Sequence, residues 1–172
     1  KTNAGEAIFF LCTGYSPRAN RDKLVIKQGE ETADIKGTAQ SLYGDVSVRI
    51  LFNKNDKKNV YVNGWQVLKI GEILGNINSV FFNPSELKLV QESPEDRRRF
   101  MDISLSQMDR QYYYSLQTYR KILDQRNNLL KSDDLDTVHQ TLPLWDKELS
   151  RYAVEIINKR RDFIEKLTPY AK

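Results

Sequence analysis

The fold is decided by the stretch SPEDRRRFMD, residues 93–102, where the character of the chain changes. Ser93 can cap a helix, Pro94 suits the first helical position, and the acids that follow favour the positive end of a helix dipole. From there a helical pattern runs toward Leu130, with an expected break near Met108-Asp109. Before this stretch the sequence indicates a helix and several strands, and after it the sequence indicates helices only.

A second long helix is expected in the C-terminal part of the chain. It is predicted to begin near Leu144, directly after Pro143, and to follow a polar linker at Ser132–Thr141. Its apolar side chains recur three, four or seven residues apart and form one stripe, made of Trp145, Leu149, Tyr152, Ile156, Phe163 and Leu167. Two amphipathic helices joined by a short linker predict an antiparallel helical hairpin over residues 93–172.

The part of the chain before residue 93 carries both helix and strand signals. Residues Glu6–Cys12 are expected to form a helix that ends near Gly14, and the alternation along Val46–Phe52 predicts a strand with one apolar face. Asn63-Gly64, between two apolar triplets, is typical of a type I′ hairpin turn. Ile77–Phe82 is rich in strand formers and is predicted to be a buried strand. The sequence therefore predicts an α/β lobe followed by a helical arm.

Composition excludes several classes of protein. The 172 residues contain one cysteine, Cys12, so no internal disulfide can form within the chain, and one histidine, His139, so no multi-histidine metal site can form either. Because His139 is alone in the predicted polar linker, a Ser-His-acid triad is not expected. No apolar run approaches the roughly 18 residues of a membrane span, and a cytoplasmic location is expected. The net charge is +4, and residues 93–131 hold 8 basic against 5 acidic side chains.

Three consecutive arginines, Arg97, Arg98 and Arg99, follow the start of the predicted arm. They lie about 100° apart around a helix, so they cannot all face one partner. One interpretation is a solvated first turn; the other is a brace between arm and lobe, with contact to DNA phosphates as a variant. The brace is favoured because arginines in a first turn oppose the helix dipole and need compensating contacts.

Two further clusters suit nucleic acid or phosphate. Arg18, Arg21 and Lys23 lie in a loop after the first helix, where they could contact nucleotide or DNA phosphate, or form structural salt bridges. The run Tyr112-Tyr113-Tyr114 could stack on bases, but its continuation at Leu116 has helical spacing. Packing between helices is therefore favoured for at least two of these tyrosines.

Lys1 and Thr2 precede a helix, as the last two residues of a Gly-rich phosphate loop do. Taken alone this dipeptide is too common to carry weight, but the chain resembles the RecF DNA-repair family in order and spacing along essentially its whole length. The resemblance rests on Lys1–Asn3 with Glu6–Ile8, Asn20–Lys23, Val62–Gly64, Val80–Pro84 with Leu87–Val90, Ser93–Asp102, Leu105–Gln107, Tyr119–Leu123, Gln125–Asn127, Leu130-Lys131 and Arg161–Ile164. The most specific part is residues 93–131.

RecF proteins are relatives of ABC-type and SMC-type ATPase heads. The resemblance implies an α/β fold in which residues 1–92 form part of an ABC-type ATPase lobe, a mixed sheet plus helices, and residues 93–172 form an inserted α-helical arm. It further implies that Lys1 contacts the β- and γ-phosphates of ATP and that Thr2 ligates Mg²⁺. ATP and Mg²⁺ are thus the expected cofactors of the full-length protein, with tight binding to this chain alone not expected.

The family resemblance implies a recombination-mediator ATPase. It would bind ATP and double-stranded, gapped or junction DNA, dimerise with ATP, and cooperate with RecR and RecO to load the RecA recombinase. The Gly-rich loop, the signature motif and the Walker B strand are not found in the sequence, so no ATPase activity is expected from this chain by itself.

The alternative function is a non-catalytic helical interaction module, residues 93–172, that docks a mediator protein. A sequence-specific regulator is disfavoured, because no helix-turn-helix with a basic recognition helix stands out.

Overall fold

A computed structural model describes residues 2–17, 22–41, 44–55, 58–82 and 93–170, with the backbone only at residues 22, 23 and 41. The backbone divides into two compact units, Lys1–Ile103 and Ser104–Lys172. The predicted boundary between lobe and arm after residue 92 stays a prediction. Within the described ranges, no helix has both the length and the apolar character that crossing a bilayer requires.

The chain begins with a helix and four strands, and from residue 94 onward it contains helices only within the described ranges. The elements are α1 (Thr2–Thr13), β1 (Thr32–Ser41), β2 (Gly44–Asn53), β3 (Lys58–Val62), β4 (Trp65–Val67), α2 (Pro94–Met108), α3 (Arg110–Leu129) and α4 (Leu135–Leu167), with short 3₁₀ segments at Asp22–Val25, Ile70–Glu72 and Thr168–Tyr170. The predicted α/β class is therefore confirmed.

The first unit is built on an antiparallel sheet in the order β1-β2-β3-β4. Val48 and Ile50 are fully buried, and Phe52 nearly so, which confirms the predicted alternation along β2. Helix α1 contributes Phe10 and Leu11 to the same core, and the ring of Phe10 stacks on that of Phe52 at 5.3 Å between centroids. Burial of these apolar side chains fixes α1 against the sheet.

The turn between β3 and β4 has the predicted form. Asn63 and Gly64 both have positive φ, 51° and 85°, and Val62 pairs with Trp65 across the turn. Positive φ at both central positions is the requirement of a type I′ turn, which matches the twist of the strands on either side.

Strand β1 was not predicted from the sequence, because it contains few large apolar residues. Ala33 and Ile35 pack on the core as part of an alternating inward set that continues to Gly37. A side chain at Gly37 would have its Cβ 2.7 Å from Leu11 Cδ1, so the absence of one allows α1 to approach the sheet. Small inward-facing residues weaken the strand signal without weakening the packing.

The predicted strand at Ile77–Phe82 is wrong. These residues form an irregular segment, in which Val80 is 95% exposed and Phe82 is 74% exposed. Phe81 packs on α1, with its ring 5.7 Å from that of Phe9. The segment is therefore held by side-chain contacts with a helix, and an apolar composition alone did not distinguish this from a strand.

The second unit contains two antiparallel helices, α3 and α4, which form a helical hairpin. The assignment of residues 93–172 to one arm stays a prediction. The core of the unit is formed by Leu105, Tyr112, Leu116 and Ile156. Three polar contacts along the pair show that the helices are antiparallel, because the residue number rises on one side as it falls on the other. The contacts are Asp109 Oδ2 with Lys159 Nζ at 2.8 Å, Ser115 Oγ with Glu155 Oε1 at 2.9 Å, and Arg126 with Asp146. Tyr112 and Tyr113 are buried, as the packing interpretation of the tyrosine run predicted.

The predicted linker at Ser132–Thr141 and the helix start near Leu144 are wrong. Helix α4 begins at Leu135 and passes through Pro143. Asp134 caps it by accepting a hydrogen bond from the Thr137 backbone N–H at 3.1 Å, and Val138 is buried. The cap and the burial of this first turn outweigh the backbone hydrogen bond that a proline inside a helix removes. His139 is exposed on this helix, not in a linker.

Candidate functional site

The first turn of α1 is an exposed helix N-terminus. Thr2 is the first helical residue, Thr2, Asn3 and Ala4 are exposed, and this turn contains no acidic side chain. The first N–H groups of a helix have no partner within it, and the helix dipole places partial positive charge there. An anion such as phosphate is therefore the ligand that this turn suits best.

A metal ion at this turn would depend on the bound anion. Within the described ranges, no group of three or more His, Cys, Asp or Glu side chains could hold a metal ion. Mg²⁺ commonly retains water and is bound through substrate phosphates with one or two protein oxygens. The hydroxyl of Thr2 fits as one such ligand. Lys1, predicted to contact the same phosphates, lies outside the described residues.

The opposite end of α1 is closed by Gly14. Its φ is 77°, and its N–H donates to the Phe10 carbonyl at 2.7 Å. A Cβ at this position would lie 2.4 Å from Ile70 Cγ1. Glycine thus allows the positive φ and the close approach together, and the chain reverses direction here.

After the reversal the chain returns along α1. Ser16 Oγ donates a hydrogen bond of 2.5 Å to Oε1 of Glu6, and both side chains are buried. Thr13 supports the reversal: its hydroxyl donates to the Phe9 carbonyl at 2.9 Å and accepts from the Tyr15 N–H at 3.3 Å. We call Gly14–Pro17 the return segment.

Lys58, at the start of β3, contacts the chain from the sheet side at the point where it reverses direction after α1. Its ammonium donates to the Gly14 carbonyl at 2.8 Å and lies about 5 Å from the ring centroids of Phe10 and Tyr15 (5.1 and 5.0 Å). A cation at the C-terminal end of a helix complements its dipole, and two aromatic faces add cation–π attraction. These contacts fix the end of α1 opposite the candidate anion site.

The thiol of Cys12 lies on the buried side of α1. Burial raises the pKa of this thiol, with a hydrogen bond to Ser79 acting in the opposite direction. A thiol held in its neutral form is a weak nucleophile, so Cys12 serves packing here. An open pocket of about 550 Å³ lies beside α1, and the polar side chains of Asn3 and Glu6 contribute to its lining.

The remaining predicted site residues are not brought together by the described part of the chain. Arg18 and Arg21 lie outside the described residues, and Lys23 is described only by its backbone, in the 3₁₀ segment Asp22–Val25. The arginines of α2, namely Arg97, Arg98 and Arg99, are exposed on its first two turns. Their role as a brace stays a prediction.

Sequence reasoning missed Glu6, Ser16 and Lys58 at this site. One signal was available: Glu6 is the one charged residue of α1, four positions after Thr2 and thus on the same face. For Ser16 and Lys58 the sequence offered no such signal, because their contacts with α1 depend on the chain reversal and on the sheet.

Comparison with known proteins gave a consistent set of relatives, although no family model matches the chain. A curated protein of Alkaliphilus oremlandii named "DNA replication and repair protein RecF" is 39% identical over all 172 residues, and one of the same name from Clostridium perfringens is 38% identical. The chain spans about half the length of these relatives, 47% in each case.

Solved structures give the same result for the fold. One described as "the recombination mediator protein RecF-ATPrS in RecFOR pathway" matches 96% of this chain and 45% of its own, with a TM-score of 0.85 and 31% identity. A second, described as RecF-ATP of the same pathway, matches 94% of this chain and 44% of its own, with a TM-score of 0.85 and 32% identity.

Proposed function

Because the chain belongs to the RecF family along all of its 172 residues, we propose that it supplies the phosphate-binding helix of an ATP-binding protein of DNA recombination and repair. The observation that carries the proposal is the first turn of α1, where Thr2 is exposed at a helix N-terminus without acidic side chains. The similar solved structures, described as RecF with ATP and with ATPrS, support ATP as the anion.

Two residues and the backbone of the first helical turn have roles in this proposal. The N–H groups of the first turn bind phosphate oxygens, Lys1 adds a positive charge at the β- and γ-phosphates, and the hydroxyl of Thr2 provides one oxygen to Mg²⁺. When bound, Mg²⁺ would offset part of the phosphate charge. Phosphate binding is assigned to this chain, and no hydrolytic step is assigned to it.

The partners of the whole protein are proposed from its relatives. The name of the curated relatives includes DNA replication and repair, and the solved structures are described as mediators of the RecFOR pathway. We therefore infer binding to double-stranded or gapped DNA, ATP-dependent pairing of two copies, and cooperation with RecR and RecO in loading RecA. Arg18, Arg21 and Lys23 are the proposed phosphate contacts, to nucleotide or DNA.

The proposal is tested in a full-length RecF protein that carries this sequence. Thr2→Ala is expected to weaken ATP binding about tenfold or more when Mg²⁺ is present, and much less when Mg²⁺ is chelated, because only the metal contact is lost. Lys1→Ala is expected to weaken binding under both conditions. The measurement is the Kd for a fluorescent ATP analogue.

The matched control is Thr118→Ala, because this threonine also lies on a helix and its hydroxyl donates to a local carbonyl, that of Tyr114 at 2.9 Å. It should leave the Kd unchanged. If Thr2→Ala and Lys1→Ala both leave the Kd within twofold of the unsubstituted protein, the assignment of this helix to ATP is incorrect.

A further inference from the structure

Helix α3 carries a polar stripe that contains no acidic side chain. Side chains three or four positions apart lie on one side of a helix, because each turn holds 3.6 residues. In α3 this spacing brings together two cations, one tyrosine and three amides, namely Arg110, Tyr114, Gln117, Lys121, Gln125 and Asn128. All of them are exposed except the half-buried Gln117. We call these six residues the α3 stripe.

The α3 stripe points away from the other helix of the hairpin. Two residues of α3 mark the side toward α4, because their side chains bond carboxylates of that helix: Ser115 and Arg126. At about 100° per residue, Lys121 lies about 120° around the helix from Ser115 and about 140° from Arg126. The stripe is therefore a solvent-facing surface, and at about 1.5 Å per residue it is about 27 Å long.

The charge of α3 is arranged so that the stripe is basic. Asp124 is the one acidic residue of this helix, and it lies at the edge of the stripe. Arg120 precedes Asp124 by four positions, so the two are neighbours on the helix surface. Lys121, in the stripe, is exposed and forms no ion pair with any described residue. Its ammonium is thus available to an anion from outside the chain.

The outward face of α4 differs from the α3 stripe in both charge and hydropathy. Val154 and Ile157 are exposed on α4, and Glu148 pairs with Arg151 at 2.7 Å. The α3 stripe has no aliphatic side chain that could anchor a protein partner in a pocket. Its arginine, lysine and amide side chains are of the types that contact phosphate oxygens of DNA. Charge and hydrogen-bonding capacity therefore favour a nucleic acid over a protein as the partner of this face.

We propose, on the basis of the DNA binding proposed above, that the α3 stripe binds the phosphate backbone of double-stranded DNA. Arg110 and Lys121 contact phosphates as cations, and the amide groups donate hydrogen bonds to phosphate oxygens. A straight helical face of this length matches about eight base pairs of a duplex, which is stiff on this scale. Contacts to phosphates carry no sequence information, so the stripe binds without sequence preference.

The first test removes one charge from each helix of the hairpin, in a full-length RecF protein that carries this sequence. Lys121→Gln is expected to raise the Kd for a fluorescent DNA duplex about threefold or more, and to reduce the slope of log Kd against log salt by about one. The matched control is Lys147→Gln. Lys147 is also exposed, and it directly follows Asp146, which contacts α3 at Arg126. It should change neither the Kd nor the slope.

The second test adds a charge, because a gain of affinity cannot result from damage to the fold. Gln125→Lys places a further cation in the stripe, and it is expected to lower the Kd about threefold and to increase the salt slope by about one. Asn158→Lys makes the same change in charge at an exposed position of α4 and should have a smaller effect.

Equal effects within either matched pair, Lys121→Gln with Lys147→Gln or Gln125→Lys with Asn158→Lys, would overturn the proposal. So would a Kd that stays the same in all four variants, which would leave an acidic protein surface as the chemistry that the stripe fits. If the unsubstituted protein does not bind the duplex, the DNA binding proposed above is itself incorrect.

Discussion

Substitution of two glycines with positive φ can distinguish the cost of backbone strain from the cost of close packing. Gly14 and Gly64 have φ values of 77° and 85°, but a Cβ at Gly14 would meet Ile70 at 2.4 Å, whereas one at Gly64 meets nothing within 4 Å. Gly64→Ala is expected to lower the free energy of unfolding by about 1–2 kcal/mol, the cost of a left-handed L-residue. Gly14→Ala should cost about 1–3 kcal/mol more, because Ile70 must shift. Urea denaturation of both variants measures the difference, and equal costs would show that Ile70 can move freely.

At the scale of elements, Asp109 links two helices of the second unit. Its Oδ1 accepts from the N–H groups of Gln111 and Tyr112, at 2.9 and 3.2 Å, and its Oδ2 accepts from Lys159 at 2.8 Å. These contacts hold the pKa of Asp109 below its usual range, and the hydrogen bond with Lys159 has the largest effect. The same hydrogen bond raises the pKa of Lys159. Since the pKa of Asp109 is lowered in the folded state, its contribution is present above the unfolded-state pKa and is lost as the pH falls through the folded-state value.

Asp109→Asn isolates the ion pair, because asparagine caps a helix about as well as aspartate. We expect a loss of about 0.5–1 kcal/mol at pH 7, kept small because the Lys159 side chain is 46% exposed. The loss should begin to shrink as the pH falls below about 4, the ordinary pKa of an aspartate, and should disappear once the pH is below the lowered folded-state pKa of Asp109. The control is Asp134→Asn at the cap of α4, whose carboxylate bonds Thr137 and no lysine in the contacts described above. Equal losses at both caps at pH 7 would contradict a specific contribution from Lys159.

The sequence predicted those elements whose signals are local. The β3–β4 turn, the alternation of β2 and the helix break at Asp109 each depend on residues within a few positions of one another. Strand β1 depends instead on pairing with β2 and on packing against α1. The helical course through Pro143 depends on the burial of Val138 as well as on the Asp134 cap, and burial is not contained in local propensity. The residues of the candidate site differ in the same respect. Thr2 was predicted from a dipeptide and a family resemblance, whereas the contact between Glu6 and Ser16 could not be predicted, because it requires the chain reversal at Gly14.

At the scale of the whole molecule, the second unit has a core of its own. The cluster of Leu105, Tyr112, Leu116 and Ile156 lies within Ser104–Lys172, as do the polar contacts between α3 and α4. A core internal to one unit can form without the other. Residues 93–172, produced alone, are therefore expected to be mainly helical by circular dichroism and to unfold cooperatively.

Two neighbouring isoleucines test whether this core, and not helix propensity alone, stabilises the isolated hairpin. Ile156 is 4% exposed and Ile157 is 59% exposed. Ile156→Ala should lower the free energy of unfolding by about 2–4 kcal/mol, through lost burial and the cavity left behind, while Ile157→Ala should change it by less than about 1 kcal/mol. If the two substitutions have equal effects, the helices of the isolated segment are not packed as they are in the chain. A strand-dominated spectrum would go further and contradict the hairpin as an independent unit, because α3 and α4 would then form only in the presence of residues 1–92.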